Sequence, residues 1–446
     1  MSKKLIKNAR IVNEGKVFNA EILIDNEYIK TVENKIDITD LEVEVIDAQN
    51  SYVIPGVIDD QVHFREPGLT HKANIETESR AAIAGGITSF IEMPNTNPQT
   101  TTVEKLEEKF DIASKTSYAN YSFMFGGTND NLDEILKLDK TKVAALKLFL
   151  GSSTGNMLVD DPEILEKIFS STDLVIAVHC EDETTIRKNT RDFIDKYGDD
   201  IPIKFHPIIR SEEACYLSSS KAIELAKKTG ARLHVFHLST GKETTLFRND
   251  IPLKDKKITA EVCVHHLWFT DNDYDEKGTH IKWNPAVKTQ KDREQLWEAL
   301  LDDRIDVIAT DHAPHTLEEK SAVYTKAPSG GPLVQHALVA LMEAYHESKI
   351  TIEKLVEKMC HNPAILFDVE KRGYIKEGYF ADLVIVNPNK SWTVNKENVM
   401  YKCGWSPFEG TTFKSAVTHT FANGSLVFNN GDISEIKSAK RLTFDR

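Results

Sequence analysis

The sequence has little cysteine, and the spacing of its cysteines gives them no structural role. Its 446 residues include five cysteines, an odd number with no Cys-x-x-Cys pair. A disulfide framework and a thiolate metal cluster are therefore excluded as organising elements, and a reduced, cytoplasmic compartment is predicted. The five are Cys180, Cys215, Cys263, Cys360 and Cys403.

Long apolar runs and an excess of positive charge are also missing. No stretch approaches the length of a membrane span, and the start, Met-Ser-Lys-Lys, leads into an alternating strand pattern. The chain carries 55 basic and 69 acidic residues, a net charge of −14, so nucleic acid and membrane surfaces are not expected as partners. An anionic small substrate stays open, because a cleft can be locally cationic. With 40% hydrophobic and 28% charged residues, the composition is typical of a globular protein.

The middle of the chain alternates apolar strand patterns with amphipathic helix patterns. This alternation predicts a parallel sheet with helices outside it, and eight such units predict an α/β fold of the (β/α)8 TIM-barrel type. The predicted strands are 53–59, 87–93, 119–125, 143–150, 174–180, 232–238, 258–264 and 306–311. The predicted helices include 75–84, 161–170, 212–229 and 291–302, and two more at 335–347 and 352–366 close the barrel.

Both ends of the chain have a different sequence pattern, with short stretches of alternating apolar and polar residues and turn signals such as Asn423-Gly424. Strands are predicted at 3–13, 20–33, 381–386 and 415–421. We expect the two ends to form one small β-sandwich domain, made of residues 1–52 plus 375–446. The barrel domain is then 53–374.

A segment rich in functional side chains follows the first barrel strand. His63 and Arg65 lie two residues apart, so their side chains point the same way from an extended chain. One group can hold a metal ion and the other can hold a carboxylate. Gln61 lies on the same face, where a second imidazole would complete a His-x-His metal pair.

Other polar residues lie within or just after later strands. The carboxyl ends of barrel strands meet on one face, which is where active sites of this fold lie. Each residue has an alternative, structural interpretation: a single His is more often a core residue, Asp311 could cap a turn, Asn95 could be a turn residue, and Lys147 could point outwards. These residues are Asn95, Lys147, His179, His237, Asn284, Asp311, His312 and His315.

Lys147 has apolar neighbours on both sides, so its amine is predicted to be desolvated. Desolvation lowers the pKa of a lysine and leaves a neutral, reactive amine. Carbon dioxide can convert such an amine to a carbamate that bridges two metal ions. His234 and the pair His265-His266 are interpreted as structural.

Taken together, the motifs resemble the dihydroorotases of the amidohydrolase superfamily, in order over roughly residues 50–366. Allantoinases usually have Asn at the position of Arg65, and dihydropyrimidinases lack the Arg-Glu-Pro-Gly run. The motifs are His63-Phe64-Arg65-Glu66-Pro67-Gly68, Met93-Pro94-Asn95-Thr96, Leu146-Lys147-Leu148, Val178-His179, His237-Leu238-Ser239-Thr240 and Thr310-Asp311-His312-Ala313-Pro314-His315-Thr316-Leu317-Glu318-Glu319-Lys320.

The resemblance implies a zinc-dependent hydrolase of cyclic amides that interconverts dihydroorotate and N-carbamoyl-L-aspartate in pyrimidine biosynthesis. It implies two zinc ions, one held by His63 and Asp311, the other by His179 and His237, and both bridged by Lys147 as its carbamate. Asp311 is the implied general acid and base. Substrate-binding residues are implied to be Arg65, Asn95, His315 and Asn284, with the loop 327–332 lining the pocket.

Position 61 departs from the family pattern, in which a metal-binding His precedes His63 by two residues. Gln61 is a poorer zinc ligand, so a weaker first metal site is expected. Two alternatives stay open: a non-catalytic homologue that supports aspartate carbamoyltransferase, or another cyclic amidase such as an allantoinase or dihydropyrimidinase. The resemblance also implies a homodimer and an association with aspartate carbamoyltransferase.

Overall fold

The computed structural model describes residues 3–37, 42–151 and 157–446. Residues from both ends of the chain share one sheet, in the strand order β20-β19-β18-β15-β5-β1-β2-β3, with β4 paired to β1. Its N-terminal strands are β1 (Lys4–Asn13), β2 (Lys16–Asp25), β3 (Tyr28–Glu33), β4 (Glu44–Asp47) and β5 (Tyr52–Pro55). The central strands are β6 (Val57–Val62), β7 (Ile87–Glu92), β8 (Asn120–Phe123), β9 (Phe125–Gly126), β10 (Leu146–Phe149), β11 (Ile176–His179), β12 (Leu233–Val235), β13 (Ile258–Cys263) and β14 (Val307–Ala309). The C-terminal strands are β15 (Leu383–Asn387), β16 (Trp392–Thr393), β17 (Thr412–Phe413), β18 (Ala416–Ala422), β19 (Ser425–Asn429) and β20 (Asp432–Ile433).

The central strands form a parallel barrel. Strands β6 to β8 pair in one sheet and β9 to β14 in another, while β8 and β9 follow each other as one interrupted strand. A parallel bridge between Val62 and His312 closes the ring beside β6. Buried side chains such as Ile58, Ala177 and Phe236 fill the interior below the strand ends. The predicted (β/α)8 barrel is therefore confirmed as the fold class.

Helices cover the outside of the barrel. The chain provides their caps: Asn74 and Thr77 form a capping box at the start of α1, and Gly230 (φ 76°) ends α7. The α-helices are α1 (Ile75–Ala84), α2 (Val103–Thr116), α3 (Leu132–Ile135), α4 (Pro162–Ser171), α5 (Glu183–Tyr197), α6 (His206–Ile209), α7 (Glu212–Thr229), α8 (Val264–Trp268), α9 (Tyr274–Lys277), α10 (Gln290–Leu301), α11 (Leu317–Lys320), α12 (Ala337–His346), α13 (Ile352–Val356) and α14 (Asn362–Leu366). Short 3-10 helices lie at Ile203–Phe205, Glu243–Leu246, Leu253–Asp255, Asp271–Asp273 and Gly278–Ile281.

Several predicted elements are divided in the structure. The strand expected at 20–33 belongs to β2 and β3, and the strand expected at 119–125 is β8 and β9. The strand expected at 53–59 becomes β5, in the terminal sheet, and β6, in the barrel, with Gly56 between them. A Cβ at Gly56 would lie 1.9 Å from Thr88 Oγ1, so only glycine fits this crossing. The helix expected at 352–366 is α13 and α14 joined by a π turn at Glu357–His361. The domain boundaries at 52/53 and 374/375 stay a prediction.

Among the helices within the described ranges, none combines the length and apolar character needed to cross a bilayer.

Candidate active site

A cavity of about 370 Å³ opens at the carboxyl ends of the barrel strands. Its wall contains every side chain that the sequence predicted for the site, which means that residues from seven separate stretches of the chain converge there. These residues are Gln61, His63, Arg65, Asn95, Lys147, His179, His237, Asn284, Asp311 and His315.

His63 and Asp311 face each other across the point where the barrel closes. His63 Nε2 lies 3.2 Å from Asp311 Oδ1, and His63 Nδ1 lies 2.9 Å from Asn95 Oδ1. Asn95 thus fixes the imidazole orientation and leaves Nε2 beside the carboxylate. Burial lowers the pKa of His63, although the hydrogen bond to Asp311 opposes this. A neutral imidazole and a carboxylate are suitable ligands for a divalent transition metal.

His179 and His237 form the second pair. His179 Nδ1 lies 3.0 Å from His237 Nε2, and His179 Nε2 lies 3.0 Å from Glu181 Oε2. Arg210 donates a hydrogen bond to the same Glu181 oxygen. Burial, together with neighbouring His179, places the pKa of His237 well below its ordinary value. The arrangement resembles the carboxylate–histidine pairs that orient metal-binding imidazoles.

Lys147 lies between these two pairs and is buried, with 1% of its surface exposed. Its Nζ has no hydrogen-bond partner among the described residues and lies 4.2 Å from the Phe236 ring centre and 4.9 Å from that of Phe149. Burial lowers the pKa of Lys147 to about 7, against the opposing effects of Asp311 and Glu261. A neutral amine is therefore accessible near neutral pH.

The residues around Lys147 fit a metal centre with nitrogen and oxygen ligands. His237 Nδ1 is also buried and without a hydrogen-bond partner among the described residues. Two ligands of one zinc ion, each about 2.1 Å from it, lie about 3.4 Å apart, close to the 3.0 Å between the His179 and His237 nitrogens. Carboxylation would replace the unpartnered amine of Lys147 with a carbamate, whose two oxygens could bind the metal ions.

Gln61 is buried on the cavity wall and lies close to a thiol. Cys263 Sγ is 3.5 Å from Gln61 Oε1. The amide oxygen is thus oriented towards β13, and its role at the metal site is at most that of a weak oxygen ligand.

Arg65 lies at the other side of the cavity, with a guanidinium held by two contacts. Its Nε donates to Pro314 O at 3.1 Å, and its Nη2 lies 3.1 Å from His315 Nε2. Lys72 Nζ approaches His315 Nδ1 at 3.0 Å. Burial, together with the charge of Arg65, lowers the pKa of His315 well below its ordinary value, so this imidazole is neutral. Lys72 does not line the cavity, and its charge is paired with Glu319 at 3.0 Å. The guanidinium of Arg65, beside a neutral imidazole, therefore makes this end of the cavity suitable for an anion.

A loop on the remaining wall supplies backbone groups. Pro328, Ser329 and Gly330 line the cavity, and Ser329 Oγ donates to Asn284 Oδ1 at 2.9 Å. Gly330 has φ 130°, and a Cβ there would lie 2.4 Å from Ala313 O. Glycine is therefore required for the loop to approach the eighth strand this closely.

Three of the site residues have left-handed backbone conformations: Arg65 at φ 69°, His237 at φ 39° and Asp311 at φ 49°. Such conformations cost free energy in residues that carry a Cβ, and they concentrate at functional sites.

Several contacts of the site were not predicted. Glu181 and Arg210 orient His179, Phe149 covers Lys147, and Trp283 lines the wall. The run His179-Cys180-Glu181 contained a signal for the first of these, because alternation places residues 179 and 181 on one side. His312, by contrast, points away from the cavity, with Nε2 2.8 Å from Glu78 Oε2.

The structure also contains a group of possible metal ligands that differs from the predicted set. Ligand atoms of Asp60, His234 and Glu261 all lie within 4.8 Å of one another, and all three side chains are buried. His234 was interpreted as a core residue, and its complete burial agrees with that interpretation. Asp60 and Glu261 were not singled out in the sequence.

Comparison with known proteins gives the family. The model of the amidohydrolase family matches residues 52–427. A dihydroorotase of Halobacterium salinarum is 34% identical over 413 residues, 91% of this chain and 92% of that protein. A dihydroorotase of Methanosphaera stadtmanae is 31% identical over 442 residues, 98% of this chain and 99% of that protein.

Solved structures agree on the architecture. The L-hydantoinase (dihydropyrimidinase) of Arthrobacter aurescens has a TM-score of 0.92 at 27% identity, covering 99% of this chain and all of that one. The dihydropyrimidinase of Brevibacillus agri has a TM-score of 0.89 at 24% identity over the full length of both chains, which shows the shared fold.

The chain therefore belongs to the amidohydrolase family, and within it to the dihydroorotase group. The resemblance found in the motifs is confirmed, and so is the prediction of a hydrolase acting on cyclic amides. Metal ions are typical of this family.

Proposed function

We propose that the protein is a dihydroorotase, which interconverts dihydroorotate and N-carbamoyl-L-aspartate in the de novo synthesis of pyrimidines. One observation carries the proposal: the guanidinium of Arg65 lines the same cavity as the imidazoles and carboxylate of the predicted metal site. Both compounds carry a carboxylate next to the reacting amide. A guanidinium binds a carboxylate through two parallel hydrogen bonds, which neutral cyclic amides cannot form.

The predicted ligands would hold two metal ions, which we take to be zinc. His63 and Asp311 would hold one and His179 and His237 the other, with Lys147 between them. When bound, the ions supply a water of lowered pKa and polarise the ring carbonyl. The remaining steps depend on side chains of the chain itself.

Lys147 is proposed to act as a carbamate. Its neutral amine would attack carbon dioxide, forming an N–C bond and releasing one proton to solvent. The product replaces a buried amine that lacks a hydrogen-bond partner among the described residues with an anion carrying two oxygens. The pKa of about 7 makes the reactive amine available near neutral pH.

Asp311 is the proposed general acid and base. Its carboxylate accepts the proton of the attacking water and delivers it to the ring nitrogen as the carbon–nitrogen bond breaks. The same proton moves back during ring closure. His63, 3.2 Å away, keeps the carboxylate oriented towards the cavity.

The substrate carboxylate is proposed to bind Arg65, Asn95 and His315, with Asn284 at the wall. The neutral state of His315 suits this role, because its Nε2 lies 3.1 Å from Arg65 Nη2 and 3.0 Å from Ser329 O and can either accept from the guanidinium or donate to the carbonyl, according to its tautomer. The backbone of residues 328–330 would then bind the polar edge of the ring.

Gln61 is proposed to lower the affinity of the first metal site for zinc. Zinc held by His63 and Asp311 should be lost more easily than zinc held by His179 and His237. Position 61 also favours the alternative of a non-catalytic homologue, because it lacks a family ligand. That alternative requires Arg65 and Lys147 to remain buried without any function, at an appreciable cost in stability.

The test is an assay of dihydroorotate hydrolysis by the full-length chain with zinc and bicarbonate supplied, with dihydrouracil, hydantoin and allantoin as comparison substrates. We expect activity on dihydroorotate well above that on the others. Folded protein without activity on any substrate would favour the non-catalytic alternative, and preference for hydantoin or allantoin would favour another cyclic amidase.

The proposal also includes the cellular compartment, the oligomeric state and a partner protein. From the family resemblance and the low cysteine content we propose a cytoplasmic homodimer. Association with aspartate carbamoyltransferase is proposed on the resemblance alone. Size-exclusion chromatography of the chain, alone and mixed with that enzyme, tests both.

A further inference from the structure

A second polar cluster lies inside the barrel, below the cavity. His234 on β12 and Glu261 on β13 are neighbours, and Asp60 reaches them from β6, two strands further round. All three side chains have 0% of their surface exposed. The cluster touches the candidate active site, because Glu261 Oε1 accepts a hydrogen bond from the backbone N–H of His237 at 3.1 Å.

The atoms at the centre of this cluster have no hydrogen-bond partners within the described part of the chain. They are both carboxylate oxygens of Asp60, Oε2 of Glu261 and Nε2 of His234. Buried carboxylates without partners are costly, and native proteins nearly always satisfy them. A positive charge at the centre would satisfy all four atoms together.

The hydrogen bond made by His234 Nδ1 indicates that the other ring nitrogen, Nε2, faces the carboxylates. His234 Nδ1 lies 2.8 Å from Thr259 Oγ1, and that hydroxyl donates its own proton to Leu233 O at 3.2 Å. Thr259 therefore accepts a hydrogen bond from His234 Nδ1–H. In the neutral imidazole, Nε2 then presents a lone pair to Asp60 and Glu261. Outer hydrogen bonds of this kind are typical of metal-binding histidines.

We propose that Asp60, His234 and Glu261 bind a divalent transition-metal ion, distinct from the ions of the candidate active site. His234 Nε2 lies 3.5 Å from Asp60 Oδ2 and 3.6 Å from Glu261 Oε2. Ligands about 2.1 Å from a tetrahedral ion are about 3.4 Å apart. The carboxylates of Asp60 and Glu261 neutralise the charge of the ion.

The competing occupant of the cluster is a proton. A charged imidazolium would hold the carboxylates through hydrogen bonds of about 2.7–2.9 Å, much shorter than the observed separations. Although burial disfavours the charged ring, the carboxylates raise the pKa of His234 to about 9. The two occupants therefore predict different structures, an ion at bonding distance or a short hydrogen bond.

The proposed ion has a structural role. Glu261 connects it to the backbone of His237, a residue with φ 39°. Cys263 connects Glu261 to Gln61, with Sγ 3.4 Å from Glu261 Oε1 and 3.5 Å from Gln61 Oε1. A metal ion that fixes Glu261 would thus stabilise the floor of the cavity.

The test is anomalous scattering at the zinc absorption edge from crystals of the full-length chain prepared with zinc and then washed. We expect a peak about 2.0–2.2 Å from His234 Nε2 and from oxygens of Asp60 and Glu261. The inference is overturned if no peak lies there while His234 forms a short hydrogen bond to a carboxylate. Because the map resolves position, this outcome is independent of the ions at His179 and His237.

Two variants provide a count in solution. Asp60→Asn should lower the zinc content after desalting by one ion per chain relative to the parent. Asp59→Asn is the matched control, a neighbouring buried carboxylate that instead accepts hydrogen bonds from Thr310, and its zinc content should equal that of the parent. Equal zinc content in Asp60→Asn and the parent would contradict the proposal. If Asp60→Asn does not fold, the anomalous map of the parent decides.

Discussion

The proposed role of Arg65 leads to a quantitative prediction for the variant Arg65→Asn. The parent residue has φ 69°, and asparagine tolerates this left-handed conformation better than most residues. The backbone should therefore keep its course while the guanidinium is removed. Asparagine is also too short to replace the contacts of Arg65 with Pro314 O and His315 Nε2.

The expected loss follows from the hydrogen bonds. A hydrogen bond to a charged group contributes about 1.5–3 kcal/mol, so two parallel bonds to the substrate carboxylate contribute about 3 kcal/mol at the lower end. Each 1.4 kcal/mol corresponds to about tenfold in rate or affinity, so kcat/KM for dihydroorotate should fall roughly a hundredfold. Dihydrouracil, which has the same ring without the carboxylate, should lose much less.

The assay compares both substrates in the parent, in Arg65→Asn and in the control variant Arg80→Asn. Arg80 is a half-buried residue of α1 that contacts Tyr118 and lies outside the cavity wall. Thermal unfolding establishes that the variants are folded. If Arg65→Asn keeps kcat/KM for dihydroorotate within about threefold of the parent, or if dihydrouracil suffers equally, Arg65 does not bind the substrate carboxylate.

Three further predictions concern the metal site. Lys147→Met should abolish hydrolysis, and in metal-free protein it should raise the free energy of unfolding. Because the unfolded lysine keeps its proton while the buried amine loses it, this gain should grow as the pH falls from about 10 to 7 and then level off. Chemical denaturation at several pH values measures the gain. Glu181→Gln should weaken zinc binding about 10–100-fold in competition with a chelator, since it weakens the acceptor of the His179 hydrogen bond; unchanged affinity would argue against orientation by Glu181. Gln61→His should slow zinc loss to a chelator by about tenfold or more and raise activity at limiting zinc; identical loss in parent and variant would remove Gln61 as the cause of a weak site.

Much of the candidate site could be predicted because its residues lie at strand ends. In a parallel barrel those ends meet on one face whatever the loop lengths are, so placing His179 or Asp311 after a strand already places it in the cavity. The desolvation of Lys147 could be anticipated in the same way, from its apolar neighbours in β10. The divided strand at Gly56 could not, because it depends on a close approach to Thr88 from another strand.

The buried cluster illustrates what local alternation misses. Alternation places adjacent residues on opposite faces of a strand, yet Gln61 lines the cavity while Asp60 contacts His234. The register of β6 against β7 shifts between Asp59 and Val62, and an irregularity of this kind can turn successive side chains towards the same interior. Nothing in a single strand reveals such a shift.

The sequence by itself determined the order of strands and helices, the chemical types of the side chains at the strand ends, and the departure at Gln61, because these depend on local periodicity and residue identity. Only the tertiary structure decided which side chains share an environment: Glu181 with Arg210, Lys147 with Phe236, and Asp60 with His234 and Glu261. These pairs come from strands and loops distant in the chain. Their contacts depend on barrel closure and strand register, which no local pattern encodes.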